Sequence, residues 1–168
     1  SSYQMVPGLE VGAYEQQPAD WEQALGSAVA DLRAKLAILD VEPEVRGIGI
    51  SGQMHGEVLC DALGEPLAPA RLWCDGRNEA EGHELTELLG VKFPKRLTAS
   101  RWLWTIRHRP DLALRVAHLT TPGGWIAHRL TGEWTLGIGD ASGMFPIDQA
   151  TLGYDAKRLA DFDALVAR

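Results

Sequence analysis

The stretch Ile48-Gly-Ile-Ser51-Gly-Gln53-Met54-His55-Gly56 sets three side chains suited to a small polar molecule next to one another. Gln53 and His55 each offer a hydrogen-bond donor and an acceptor, the complement of a hydroxyl group. Met54 adds an adaptable apolar contact. Glycines at 52 and 56 hinge the segment, which follows an apolar run. It reads as a loop at a strand end, a common place for ligand-contacting groups. An ordinary turn with a hydrogen-bonded histidine is the plain alternative, and the residues alone leave both open.

Other arrangements point to chemistries the sequence does not support. Gly47-Ile-Gly49-Ile-Ser-Gly52 matches the letters of the dinucleotide-binding pattern G-x-G-x-x-G. That function needs the glycines to open a helix whose first amides meet a pyrophosphate. Here the following residues, Glu57 to Cys60, read as a strand, so the glycines are better assigned to close approach of backbone or ligand. Cys60, Cys74, His55 and His83 lack the spacing of a zinc site, and two thiols read as small buried apolar groups. His108, His118 and His128 have no serine or cysteine nearby in a nucleophile-like turn, and no phosphate-binding G-x-x-x-x-G-K-[ST] loop occurs. Neither a catalytic group nor a metal ligand is expected within these residues. Arg96, Arg101, Arg107 and Arg109 could meet an anionic ligand, although long basic side chains more often coat a solvated helix face.

The elements that must position the loop follow from periodicity. Ser1 to Gln17 reads as an irregular lead-in. Apolar residues at Trp21, Leu25, Ala28, Val29, Leu32, Leu36 and Leu39 have helical spacing, with Asp20 placed as the N-cap. Val45 to Ile50 reads as a short buried strand. Glu57–Cys60, a turn over 61–64 and a return from Pro66 to Trp73 read as a hairpin. Arg77 to Leu89 is a helix ending at Gly90, Ala99 to Arg107 one stopped by Pro110, and Leu112 to Ala117 another. Thr121-Pro122 starts a further helix that Gly132 stops. Glu133 to Leu136 reads as a strand, 140–143 as a tight turn, and Asp155 to Val166 as a last amphipathic helix. Strands and helices interleave, so the class is α/β.

The 168 residues suit one domain or a large piece of a two-domain protein. The formal net charge of −7 argues against nucleic acid or an anionic membrane as a main partner. Two cysteines do not make a secreted disulfide framework, and with no signal peptide or long apolar run a cytoplasmic protein is expected. Six tryptophans are many for this length. Most are expected in the core, and one or two could line a ligand site.

Taken in order, five segments resemble the FGGY family of carbohydrate kinases, and the xylulokinases among them. Glu15-Gln-Gln-Pro18 with Trp21 is similar to an E-Q-D-P-x-x-W entry into a long helix. Ile48 to Gly56 resembles S-G-Q-M-H-G. Pro69-Ala-Arg-Leu-Trp-Cys-Asp75-Gly-Arg77 resembles a W-x-D-x-R turn. Leu130-Thr-Gly132-Glu133 and Asp140-Ala-Ser-Gly143 resemble an R-L-T-G-E and S-D-A-S-G pair. The segments run in register across about the whole chain.

The resemblance implies an actin-like, ribonuclease H-like fold, with residues 1–168 as an incomplete N-terminal, sugar-binding lobe. It implies that the whole protein phosphorylates a small sugar or polyol (xylulose, ribulose or a tetritol) with ATP and Mg2+. Met54 and His55 are implied as sugar contacts beside Gln53. Asp75 and Arg77 are implied near the same pocket, where a structural ion pair is the alternative. Arg96 falls in a segment that shapes that pocket. There Phe93 to Arg101 keeps only part of a P-G-F-T-A-P-K pattern, with Lys95 and Arg96 in place of proline and glycine, and Thr121-Pro-Gly-Gly-Trp125 replaces P-K-D-Y. The glycine-rich phosphate hairpin, the base-bearing aspartate and the nucleotide lobe of such kinases have no counterpart in the sequence. These residues alone are therefore expected to bind neither ATP nor Mg2+ and to catalyse nothing. A free-standing sugar-binding or interaction module is the competing reading, and a homodimer is left open.

Overall fold

The computed structural model describes residues 3–167; Ser1 and Ser2 of the expected lead-in lie outside them. Among the described residues, seven helices and four short strands follow one another. They are β1 (Glu15–Gln16), α1 (Pro18–Ile38), β2 (Val58–Cys60), β3 (Ala70–Arg71), α2 (Glu79–Leu89), α3 (Thr98–His108), α4 (Pro110–Ala113), β4 (His118–Thr120), α5 (Pro122–Thr131), α6 (Ile138–Met144) and α7 (Ala156–Val166). Two antiparallel pairs form: β1 with β3, Glu15 opposite Arg71, and β2 with β4, Val58 opposite Thr120.

The hairpin forms as its turn chemistry requires. The Asp61 carboxylate accepts from the amides of Leu63 and Glu65, and Gly64 takes a left-handed φ of 84°. Its arms then diverge, β2 joining β4 and β3 joining β1. One apolar core collects Trp21, Val58, Cys60, Ala70, Leu72 and Trp125 around these strands. A second gathers Leu85, Leu89, Phe93, Ala99, Leu103, Phe145 and Phe162 between α2, α3 and α7. Trp125 and Trp21 meet edge to face in the first core, whereas Trp73 is half exposed. Burial pushes the Cys60 thiol up to about 12, so it packs as an apolar group.

Several sequence expectations need correction. Gln17 is the N-cap of α1, Pro18 its first residue, and Asp20 lies in the first turn. Val45 to Ile50 is neither a strand nor buried: Val45 is 73% and Ile48 71% exposed. Its β-branched residues favour extended backbone, but a strand needs a hydrogen-bonded neighbour, and no described segment pairs with it. Glu133 to Leu136 forms no strand because Trp134 is instead sandwiched between the rings of His118 and His128, at 4.2 and 3.8 Å. Residues 140–143 are helical within α6, where packing overrides the poor helix propensity of glycine. The helix expected over 112–117 is the short α4. The strands β1 and β4 went unread, being too short to show a period of two.

Candidate functional site

The loop from Ser51 to Gly56 crosses the start of α5 and the end of α6, and small residues permit the approach. A Cβ on Gly52 would stand 2.8 Å from the Gly123 nitrogen, and one on Gly56 2.7 Å from the Pro122 ring. A Cβ on Gly143 would run into the His55 ring. Thr121 caps α5 by accepting from the Gly124 amide at 3.2 Å, and its hydroxyl donates to Asp140 of α6. Thus 51–56, 121–124 and 140–143, distant in sequence, form one surface.

The structure does not bring the three polar-loop side chains to one point. Gln53 turns toward β1 and α1: its Nε2 donates to the Gln16 Oε1 at 3.0 Å, which also accepts from the Trp21 indole at 3.2 Å. It lines a cavity of about 300 Å3 with Trp21, Ile50, Pro122 and Ile126. Met54 points outward, 61% exposed. His55 adopts a left-handed φ of 61° and sets its Nδ1 3.1 Å from the Gly143 carbonyl. A carbonyl only accepts, so Nδ1 carries the proton and Nε2 is left as the acceptor of the neutral ring. Partial burial lowers the His55 pKa. The Gly143 bond and Asp140 oppose this, and the Arg96 and Arg101 charges add to it.

Asp75 and Arg77 belong to a buried ionic network. Asp75 is fully buried; it accepts from Arg71 Nη2 at 2.9 Å, Arg77 Nη2 at 2.7 Å and the Tyr14 amide at 3.0 Å. Burial works to raise its pKa, but these donors outweigh burial and hold it at about 2. Arg77 also pairs with Glu15 at 2.5 Å, and Arg71 and Arg77 lie over the Trp104 ring at 4.2 and 5.2 Å. Both Asp75 oxygens are taken up by the protein, as in the ion-pair alternative. Arg96 is exposed, near enough to influence His55 by its charge.

The sequence reading missed the support beneath the loop. Thr98, Arg101 and Thr105 share one face of α3. Arg101, fully buried, donates through Nη1 to the carbonyls of His55 and Arg96, both at 2.7 Å. Thr98 donates to the same His55 carbonyl at 3.2 Å, and Thr105 to the buried Glu57 carboxylate. Burial first, offset by Arg71 and Arg101, raises the Glu57 pKa. The i, i+3, i+7 spacing of these polar residues was the available signal.

The FGGY family of carbohydrate kinases, N-terminal domain, matches residues 8–165. The chain is 33% identical over 156 residues to a xylulose kinase of Streptomyces coelicolor, spanning 87% of this chain and 31% of that protein. It is 34% identical over 143 residues to the xylulose kinase of Escherichia coli K12, spanning 81% and 29%. A crystal structure described as a xyloylose kinase from Brucella ovis superposes with a TM-score of 0.85 at 29% identity, over 96% of this chain and 34% of that one. The chain therefore spans about a third of the length of such relatives, and its fold is that of their N-terminal lobe, the actin-like, ribonuclease H-like architecture.

Proposed function

Because the chain belongs to the FGGY family of carbohydrate kinases, we propose that it is the sugar-binding lobe of an enzyme that phosphorylates a pentulose, xylulose first among the candidates, with ATP. The observation that carries the reading is the loop geometry. Glycine-dependent contacts with α5 and α6 fix it, Met54 stands exposed, and His55 is held with Nε2 as acceptor. Nε2 accepts a hydrogen bond from a sugar hydroxyl, and the Met54 methyl lies against the carbon backbone of the sugar. Gln53, anchored to Gln16, sets the entry of the loop. Asp75 and Arg77 hold the strands beneath it. Arg96, at the rim, contacts the sugar or its new phosphate.

ATP and Mg2+ supply the phosphoryl group and charge neutralisation in such a reaction. We assign neither one to these residues. No three His, Cys, Asp or Glu side chains among the described residues converge into a metal cradle, and no glycine-rich phosphate loop occurs in the sequence. The work of this lobe is to bind and orient the sugar, which supplies positioning for a reaction that depends chiefly on it. Residues 1–168 are thus read as one sugar-binding domain, with the phosphate hairpin and nucleotide lobe supplied by the rest of the polypeptide. A screen of the natural polypeptide, coupling ADP release to a panel of ketoses and polyols, tests the proposal. Turnover highest with xylulose or another pentulose is expected; no turnover with any sugar contradicts it.

A further inference from the structure

We infer that Arg101 is the positioning residue of the sugar site: buried beneath the loop, it acts through the His55 main chain to aim the imidazole. The inference rests on the reading of His55 as a sugar contact, and on geometry beneath it that the reading does not use.

His55 is one of three non-glycine residues with positive φ among the described residues, a conformation that must be held from outside. Two anchors hold it. On the side-chain side, Nδ1 bonds the Gly143 carbonyl of α6. On the main-chain side, the His55 carbonyl accepts from Arg101 Nη1 at 2.7 Å and Thr98 Oγ1 at 3.2 Å, both on α3. The same Nη1 also bonds the Arg96 carbonyl at 2.7 Å, tying the pocket-rim segment to the loop.

A guanidinium with no exposed surface is costly to bury. Arg101 nevertheless leaves Nε and Nη2 without hydrogen-bond partners. Core packing alone would be served by an apolar residue, with no unpaired donors. Among the described residues, the only hydrogen bonds that the Arg101 side chain donates are to two main-chain carbonyls of the site. Because a single nitrogen makes both, a lysine ammonium, with three donors, can reproduce them.

Steady-state kinetics of the natural polypeptide with xylulose and ATP distinguishes the outcomes. R101M is expected to raise the sugar KM about tenfold or more, the effect of losing a charge-assisted hydrogen bond. The nucleotide KM should stay within about twofold of wild type, while R101K stays within about threefold for the sugar. In the H55A background R101M should add less than about twofold, since the side chain it aims is gone. A wild-type sugar KM in R101M, equal losses in R101M and R101K, or full additivity with H55A overturns the inference. If H55A itself leaves the sugar KM unchanged, the reading of His55 falls and the inference with it. If H55A is impaired and R101M is not, only the inference falls. Should R101M yield too little folded protein, T98V reads the same coupling through the Thr98 hydroxyl. About a threefold rise is then expected, and an unchanged sugar KM overturns the inference.

Discussion

Asp75 is a buried carboxylate paired with Arg71 and Arg77, and its chemistry sets a measurable pH dependence. Its folded pKa of about 2 lies below the ordinary 3.8. The stabilisation is therefore fully present above about pH 4 and is lost as pH falls toward about 2. The gap amounts to about 2 kcal/mol. D75N should flatten that part of the acid unfolding curve. At neutral pH it should cost about 3 kcal/mol in denaturant melts, because Arg71 and Arg77 stay buried without their partner. A loss under about 0.5 kcal/mol would contradict the network described here. Gly143 makes the complementary case: a methyl there displaces the His55 ring from its carbonyl bond. G143A should raise the sugar KM of the natural polypeptide about tenfold, with a destabilisation of about 1–3 kcal/mol. At this scale the sequence was partly legible. Donor and acceptor chemistry raised His55 only as a candidate, whereas the burial of Arg101 was hidden, because a lone arginine in a helix is ordinarily a surface residue.

Elements bounded by distinct stereochemistry were the readable ones. The left-handed Gly90 and Gly132 end α2 and α5 where their sequence positions indicate, and Thr121-Pro122 starts α5. Removing the Thr121 hydroxyl should cost about 1–2 kcal/mol. The Gly124 amide loses its cap and Asp140 loses a donor, a joint loss readable in thermal unfolding of T121A. A change below about 0.3 kcal/mol would mean that α5 and α6 are not coupled there. Strands were readable only where turn chemistry marked them, as in the hairpin of β2 and β3. Two- and three-residue ladders carry no periodic signal, and pairing rather than propensity decides whether Val45 to Ile50 becomes a strand. The α6 helix was missed for a related reason. Small residues look like a turn until the loop packed against them is known.

At the scale of the whole molecule, α1 stands out. Of its 21 residues only Pro18 and Trp21 are buried. Leu25, Val29, Leu32 and Leu36 face Val45 and Ile48 across a groove of about 1300 Å3. An apolar face of that extent drives association. The 168-residue chain on its own should bind a hydrophobic dye and self-associate with rising concentration; a monodisperse, dye-negative monomer in light scattering would contradict this. No described helix is long and apolar enough to cross a membrane. The α/β class was legible from the interleaving of elements, and family membership from five motifs in order. The convergence of 51–56, 121–124 and 140–143 was not, because contacts between glycines and distant backbone leave no local pattern. The most direct test is the methyl resonance of Met54 in the natural polypeptide, labelled with 13C-methyl methionine and assigned through Met54→Leu. Titration with xylulose should shift that signal saturably, at a midpoint near the kinetic KM. A Met54 signal that stays still while the enzyme turns the sugar over would place the sugar elsewhere and contradict the account.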